Sequence, residues 1–443
     1  MINRRNLVLA GACLAGCGVA YAAGKQPTGR ASNFVRVEGA RFVLKNRTYR
    51  YVGTNLWYGA YLGSFVEGRK RLCRELDMLG ALGITNLRVL GAAELSPLHN
   101  SIRPATHDAI PPYNEKLLRG LDFLLAEMAK RNLKAVIFLN NFWEWSGGMV
   151  TYQYWTNGGH YIDMDDPAHP WPAFADFSAQ FYTSPKANAL YRAYVGRIID
   201  RRNSISGIRY RDDPAIMSWQ LANEPRPGGS QDKTDFSAFY AWIADTARFI
   251  KAHDPNHLVS TGNEGTKGCM ESTDCVIRAN AVPAVDYSTM HIWPLNWGWI
   301  DPKNIAGTYD ACAANTRRYI ATHLEIAKKL NKPAVAEEFG LPRDDGGYAL
   351  STSTAFRDRF YGVIFEMVED SARAGGPFAG SNFWAWGGEG RAQHPDFLMK
   401  PGDVSYVGDP PQEPQGRNSV FDCDASTIDV IRRHATALRA ISD

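Results

Sequence analysis

Eight short apolar segments alternate with helical segments along most of the chain, and this alternation restricts the fold more than any other feature. Strands of this length that alternate with amphipathic helices are typical of a parallel sheet. The predicted strands are 51–55, 86–90, 135–140, the run 219–222 that leads to Glu224, 258–260, 287–291, 333–338 and 381–384. The predicted helices are 69–79, 114–131, 188–199, 235–253, 310–330 and 352–373.

Eight such units predict an α/β fold in which the sheet closes into a (β/α)8 TIM barrel, because closure is the economical arrangement. Residues 34–51 precede the first unit and indicate a β-hairpin that turns at 45–47. The segments 141–184 and 387–415 are predicted to be long loops on the C-terminal face, where such barrels carry their active sites. We expect one catalytic domain over residues 34–443.

Charge and motif content exclude several classes of function. The chain has 49 basic and 46 acidic residues without a basic run, so we expect no nucleic-acid partner. It has neither a Cys-x-x-Cys nor a His-Glu-x-x-His motif, so no metal site and no cofactor are predicted. We expect a monomer.

Residues 1–23 resemble an export signal and are set aside from the fold. Arg4 and Arg5 form the charged start, which weakly suggests the twin-arginine route, and a short apolar run follows. The sequence 14–17, Leu-Ala-Gly-Cys, resembles a bacterial lipobox with cleavage before Cys17, which would then carry a lipid anchor to the membrane. The alternatives are ordinary cleavage after 20–22 or a buried N-terminal helix. The expected location is periplasmic or on the outer membrane as a lipoprotein, or secreted.

Export permits disulfides, and Cys269 and Cys275 flank a short polar stretch that they could close. We therefore predict a disulfide between them. Cys73, Cys312 and Cys423 remain as an odd set, so at least one of these three is expected to be a free buried thiol.

Two of the predicted strands lead into glutamates. The run 219–222 continues into Asn223-Glu224-Pro225, and the predicted strand 333–338 ends in Glu337-Glu338, which Phe-Gly follows. Carboxyl ends of parallel strands meet at one face of a barrel, so Glu224 and Glu338 are predicted to converge. Two carboxyl groups about 5–5.5 Å apart are what a retaining glycosidase needs. Glu337 is the rival of Glu338, and neighbours in a strand point to opposite sides.

From residue 34 onward the sequence resembles glycoside hydrolase family 5, in its β-mannanase and β-mannosidase subgroup. Four segments carry the resemblance. They are 140–148 with Tyr152 and Trp155, His-Ile-Trp-Pro at 291–294, Phe-Trp-Ala-Trp at 383–386, and Asn-Ser-Val-Phe-Asp at 418–422 with Ser426 and Thr427.

The resemblance implies the catalytic roles. Glu224 matches the acid/base and Asn223 the residue that contacts the sugar 2-hydroxyl. Glu338 matches the nucleophile, and Arg88 matches the arginine on the second strand that keeps the nucleophile ionised. The alternative for Arg88 is an ion pair that only fills the barrel.

The same resemblance implies a substrate-binding wall. His291 matches a histidine of the catalytic subsite and Trp384 the apolar floor under the reacting sugar, although either could be core packing. Where many members have a tyrosine beside the nucleophile, this chain has Trp293, which can donate a hydrogen bond but cannot accept one. Trp143 is predicted either to bind sugar or to hold its loop together by packing. Glu264 is predicted either to bind an outer sugar or to cap the next helix.

These features predict a retaining hydrolase of β-1,4-mannan with endo action and two catalytic glutamates. The main alternative is an exo-β-mannosidase that acts on mannooligosaccharides, since long loops can wall off one end of a cleft. Other β-1,4-glycan specificities and a non-catalytic carbohydrate-binding protein are less favoured, the latter because both acids are present.

Overall fold

The computed structural model describes residues 33–441, so the predicted signal segment and Cys17 lie outside the described residues. Within that range the predicted barrel is confirmed. The strands are β1 (Arg36–Glu38), β2 (Arg41–Leu44), β3 (Arg47–Thr48), β4 (Tyr51–Asn55), β5 (Asn86–Leu90), β6 (Lys134–Phe138), β7 (Ile216–Gln220), β8 (Leu258–Ser260), β9 (Ser288–Ile292), β10 (Ala334–Phe339), β11 (Phe378–Phe383), β12 (Trp386–Gly388) and β13 (Val420–Phe421). Eight of these strands are parallel and form one sheet in the order β8-β7-β6-β5-β4-β11-β10-β9.

Helices follow the barrel strands and cover the outside of the sheet. They are α1 (Gly59–Gly63), α2 (Val66–Leu82), α3 (Glu115–Lys130), α4 (Gly148–Thr156), α5 (Ala173–Ala179), α6 (Pro185–Ile199), α7 (Phe236–His253), α8 (Thr273–Asn280), α9 (Ile305–Leu330), α10 (Ala355–Arg373) and α11 (Ala425–Ala440). None of the helices between residues 33 and 441 is both long and apolar enough to cross a membrane.

The two edge strands of the sheet, β8 and β9, approach each other and bring the barrel close to closure. His291 N donates to Glu264 O over 3.0 Å, and Asp286 N donates to Val259 O over 2.7 Å. At the opposite, N-terminal end of the barrel, Val35 and Phe42 pack on barrel residues that include Tyr51 and Val335. The predicted hairpin is thus part of a three-stranded antiparallel sheet that plugs the bottom of the barrel.

The segment 141–184 differs from the predicted loop because it contains α4 and α5. Trp155, expected in a loop, lies in α4. The helix α4 begins after Gly147 and at Gly148, both with positive φ, and such angles are easily adopted only by glycine. An extra Cβ on Gly148 would lie 2.3 Å from Trp143 O, so this turn holds the aromatic residues before it in one place.

The segment 387–415 is irregular but anchored. Trp57, just after β4, donates from Nε1 to Gly408 O over 2.9 Å, and its ring packs edge-on against Tyr406 at 5.9 Å. The buried carboxylate of Asp409 accepts from Gly416 N and Asn418 N, each over 2.7 Å. These bonds fix the segment over the C-terminal face of the barrel.

A close contact between α1 and α3 gives a stability prediction. In α3, a Cβ on Gly120 would lie 2.0 Å from Ala60 O in α1, whereas a Cβ on Gly362 in α10 would meet nothing within 4 Å. We expect Gly120→Ala to lower the free energy of unfolding by about 3 kcal/mol through overpacking. Gly362→Ala, the matched control, is expected to raise it by about 0.5–1 kcal/mol. Denaturant unfolding measures both, and equal effects of the two substitutions would contradict this packing.

Candidate active site

A cavity of about 580 Å³ opens at the C-terminal ends of the barrel strands. Both predicted glutamates line it, together with residues of the loops after the strands. The lining residues are Trp143, Glu144, Trp145, Met164, Trp171, Asn223, Glu224, Arg226, Glu264, Trp293, Asn296, Trp297, Glu338, Trp384, Pro410, Gln412, Glu413 and Arg417.

Glu224 and Glu338 meet at one histidine. His291 Nδ1 lies 2.6 Å from Oε1 of Glu224 and 3.3 Å from Oε2 of Glu338. One ligand atom from each of the three side chains lies within 4.8 Å of the others. This spacing of the two carboxylates suits a double displacement, in which the groups stand about 5–5.5 Å apart, and leaves less room than an inverting enzyme needs.

The sequence placed Glu224 where its strand ends, but β7 already ends at Gln220. Glu224 N donates to Gly262 O over 2.9 Å, and the residue has a φ of +49°, a left-handed conformation that costs energy in a non-glycine residue. Its carboxylate accepts from Trp143 Nε1 and, over 3.3 Å, from Trp293 Nε1. The family pattern has a tyrosine beside the nucleophile at this position. Trp293 contacts Glu224 instead.

Arg88 links the site to the barrel interior. Its guanidinium donates to Glu338 Oε1, to Gln220 Oε1 over 2.7 Å and to Asn223 Oδ1 over 2.7 Å. A fourth bond reaches Asn55 Oδ1 over 3.1 Å. Arg88 therefore forms an ion pair with Glu338 in the active site, and it fixes the positions of both Glu338 and Asn223.

The choice of Glu338 over Glu337 agrees with the geometry. The carboxylate of Glu337 accepts from Gln220 Nε2 over 2.6 Å and from Tyr287 OH over 3.4 Å, both inside the barrel. Glu338 lines the cavity, whereas Glu337 is absent from its lining. Of these two glutamates, only Glu338 can therefore reach a ligand in the cavity.

The electrostatics of the site favour the protonated form of His291. Burial lowers the pKa of His291, but the adjacent carboxylates of Glu338 and Glu224 outweigh it and raise the pKa well above its usual range. Burial raises the pKa of Glu224, yet the hydrogen bond and charge of His291 and the charge of Arg226 hold it below its usual range. The proton between His291 and Glu224 is thus held within one short hydrogen bond.

The same three side chains have the spacing of a metal-ligand set. However, the Arg88 guanidinium already occupies Glu338 Oε1, and a protonated His291 offers Nδ1 as a donor rather than as a ligand. The positive charge that the carboxylates need is therefore supplied by side chains, and the donor set fits a cation poorly.

Tryptophans form the floor and one rim. Trp384 lies edge-on to Trp293 at 6.0 Å and to Trp145 at 6.2 Å, and it lines the cavity besides packing in the core. At the rim Trp143 and Trp171 stack at 6.2 Å with an interplanar angle of 28°. Broad apolar ring faces of this kind suit the apolar faces of sugar rings.

Glu264 is paired with an arginine that the sequence did not single out. Arg226 donates to it through Nε over 2.6 Å and Nη2 over 2.8 Å, and the guanidinium also stacks on Trp143 at 4.8 Å. Burial raises the pKa of Glu264 to about 7 despite this partner. Glu264 does not cap the next α-helix, because Ser272 is the N-cap of α8.

Sequence reasoning also missed Glu144, Gln412 and Glu413. Glu144 lies inside a segment that carries the family resemblance, between Trp143 and Trp145, and this position was the available signal. Gln412 and Glu413 belong to a proline-rich segment without periodicity, and only the folded chain brings them to the cavity. Burial, and next the charge of Asp409, raises the pKa of Glu413 to about 7.

The predicted disulfide is not formed in the structure. Cys269 and Cys275 are both buried free thiols whose side chains are hydrogen-bonding neighbours, and Cys269 also contacts Asn263 Oδ1 at 3.7 Å. Cys312 is a buried free thiol, as expected of at least one of the remaining three.

With this geometry, the chain matches the family model described as GH family 5 beta-mannosidase-like over residues 32–443. It belongs to glycoside hydrolase family 5 and is a glycosidase. A structure of the family 5 mannosidase of Rhizomucor miehei is 34% identical, covers 92% of this chain and 98% of its own, and superposes with a TM-score of 0.84.

Three further similar proteins come from plants and a fungus. Mannan endo-1,4-beta-mannosidase 1 of Oryza sativa subsp. japonica is 29% identical over 94% of this chain and 88% of its own length. The Arabidopsis thaliana protein of the same name is 30% identical over 80% of this chain and 82% of its own. The endo-1,4-beta-mannanase of Rhizomucor miehei, at 23% identity over 92% of this chain and 99% of its own, shares the fold with a TM-score of 0.66.

The four bonds of Arg88 give a prediction for this site. Lysine keeps the charge but lacks the planar fork, so it can serve only part of the acceptor set. We expect Arg88→Lys to lower kcat/KM by at least about 100-fold, on the scale of about 3 kcal/mol of lost transition-state stabilisation. Circular dichroism checks that the fold is kept, and activity within twofold of the parent would contradict the role given to Arg88.

Proposed function

We propose that the protein hydrolyses β-1,4-mannosidic bonds with retention of configuration, and that mannan is its substrate through endo action. The observation that carries the proposal is the convergence of Glu224 and Glu338 on His291 Nδ1, at 2.6 and 3.3 Å. This spacing brings the two carboxylates to one reacting centre. The mannan specificity is supported by the family and by the names of the relatives.

In the first step, Glu338 attacks the anomeric carbon while a proton passes from Glu224 to the leaving glycosidic oxygen, and a mannosyl-enzyme forms. The empty site holds that proton in the bond between His291 Nδ1 and Glu224 Oε1, so substrate binding must draw it to the carboxyl. In the second step Glu224 takes a proton from water, which attacks the anomeric carbon and releases Glu338. Arg88 and Asn223 keep their places throughout.

Each glutamate has a distinct chemical signature. Glu224→Ala should lower hydrolysis of mannan by at least about 10³-fold, but less for aryl mannosides whose leaving groups need no proton. With this variant, azide should replace water and give β-mannosyl azide. Glu338→Ala should instead give α-mannosyl azide from an aryl β-mannoside with a good leaving group, because azide then displaces that group directly with inversion and no covalent intermediate forms.

Glu337→Gln serves as the neighbouring comparison, since its carboxylate is directed inside the barrel. Product configuration is read by nuclear magnetic resonance. If Glu337→Gln abolished the covalent intermediate while Glu338→Ala kept it, the nucleophile assignment would be wrong.

The alternative, exo action on mannooligosaccharides, is favoured by one structural observation. Pro410, Gln412, Glu413 and Arg417 line the cavity, and Asp409 ties this segment down. A segment fixed across a cleft can close one end of it. The Rhizomucor miehei mannosidase supports this alternative, whereas the plant relatives support endo action.

A product time course separates the two. Endo action predicts mixed oligosaccharides from mannohexaose and a rapid fall in the viscosity of linear β-1,4-mannan. Exo action predicts mannose alone from the first minutes at nearly constant viscosity. Chromatography of the products decides, and activity on glucans with none on mannans would contradict the proposed specificity.

Export with a lipid anchor at Cys17 is proposed from the sequence alone. Labelling of producing bacterial cells with radioactive palmitate is expected to mark the parent chain, and Cys17→Ser should lose the label. Label that persists in the variant, or a mature N-terminus downstream of Cys17, would contradict the anchor.

A further inference from the structure

Glu144 is a buried carboxyl without a hydrogen-bond partner on the wall of the active-site cavity. The residue is 0% exposed, and it lines the cavity. Neither Oε1 nor Oε2 has a hydrogen-bond partner among the described residues. A buried carboxyl left unsatisfied costs free energy, and native structures keep few such groups without a reason.

The backbone around Glu144 is well fixed. The residue begins a 3-10 helix, Glu144–Ser146, and its carbonyl oxygen accepts from Ser101 Oγ and from Gly147 N. The main chain that carries the unpaired carboxyl is therefore fixed, which limits the positions that the carboxyl can take.

Its neighbours define which part of the cavity it serves. Trp143, before it, donates to Glu224, the proposed acid/base, whereas Trp145, after it, packs against Trp384 at 6.2 Å. Glu144 thus lies in the chain between a residue that contacts the acid/base and one that packs on the aromatic floor. Both of these parts of the cavity serve the reacting sugar in the proposed function.

A second unpaired acceptor lines the same cavity. Gln412 Oε1 is buried and has no hydrogen-bond partner in the described part of the chain. Together with Glu144 it leaves three oxygens on the cavity lining without a donor from the described residues. The complementary ligand must supply donors, and neighbouring hydroxyl groups of a sugar can supply one to each oxygen of a carboxylate.

We infer that Glu144 is a further specificity-determining residue, whose carboxylate accepts hydrogen bonds from hydroxyl groups of the mannosyl unit bound over Trp384. This inference rests on the proposed function, because it assumes that a mannosyl unit occupies the cavity. It adds a polar contact to the reacting sugar beyond those of the two catalytic glutamates.

The charge of Glu144 agrees with this role. Burial, and more weakly the charges of Asp163 and Asp165, raises its pKa to about 7, while its own backbone N–H opposes this shift. Hydroxyl groups that donate to the carboxyl would stabilise its anion and offset part of the cost of burial.

The first test is a binding experiment in the Glu338→Ala background. The probes are 4-nitrophenyl β-mannoside and its four monodeoxy analogues, and binding is followed by quenching of tryptophan fluorescence. We expect at least one deoxy analogue to bind about 10- to 100-fold more weakly than the parent sugar. Adding Glu144→Gln should weaken binding of the parent sugar and shrink that difference to about threefold or less.

If the Glu144→Gln background discriminates among all analogues as its parent does, the inference is overturned while the proposed function stands. If the unsubstituted protein neither hydrolyses nor binds any mannoside, the proposed function itself fails and the inference fails with it. The two failures are thus distinguished by activity of the unsubstituted protein.

Thermal unfolding provides a second readout. Because the pKa of Glu144 is raised on folding, its unfavourable contribution appears as pH rises above the unfolded value and is complete above about 7. Glu144→Gln should therefore raise Tm by about 2–5 °C at pH 8 and change it little at pH 5. If Glu144 had a purely structural role, Glu144→Gln would instead lower Tm at both pH values, and that result would overturn the inference.

Glu94→Gln is the matched control. Glu94 is equally buried, burial raises its pKa to about 8, and its Oε2 accepts from Gly148 N over 2.7 Å. It does not line the cavity. Its variant should bind the sugars as the parent does, and equal losses of binding in both variants would count against the role of Glu144.

Discussion

The contact between Arg88 and Glu338 is the interaction on which the site depends. Two glutamates within reach of one histidine would repel each other strongly in a buried cavity, so their negative charge must be balanced. Arg88 provides one positive charge from the barrel interior, and His291 provides the second between the carboxylates. The guanidinium can do this because Asn55 in β4 and Gln220 in β7 hold it in place.

This arrangement explains why a barrel is suited to the chemistry. The carboxylates come from opposite parts of the sheet, with Glu224 beyond β7 and Glu338 in β10. Parallel strands bring both to one face, and the interior network beneath them fixes their separation. The loops then supply what the strands lack, namely the aromatic rim of Trp143 and Trp171 and the segment anchored by Asp409.

The sequence was sufficient to predict the barrel and the two glutamates. The strand runs are short, apolar and bounded by helices of clear periodicity, and residues at strand ends need no knowledge of loop structure to be placed at one face. Glu224 shows the limit of this reasoning, since β7 ends before it and a bond to Gly262 places it. The prediction that residues 141–184 form a loop was wrong, because α4 and α5 are stabilised there by tertiary packing rather than by a strong local pattern.

Partners in space were the least predictable feature. Arg226, which pairs with Glu264 and stacks on Trp143, and Glu413, which reaches the cavity from a proline-rich segment, depend on contacts between distant parts of the chain. The thiols of Cys269 and Cys275 are close, as their spacing suggested, yet they are not bonded. Spacing along the chain can indicate proximity, but the state of a pair depends on its surroundings.

The central claim is that Glu338 forms a covalent bond to the sugar. The most direct measurement is mass spectrometry of the protein after incubation with a 2-deoxy-2-fluoro-β-mannoside that carries a good leaving group, followed by peptide mapping. The account predicts one added fluoromannosyl group per chain, located on Glu338, and accumulation that stops when Glu338 is replaced by alanine. A label on Glu337 or Glu224, or turnover without any labelled intermediate, would contradict it.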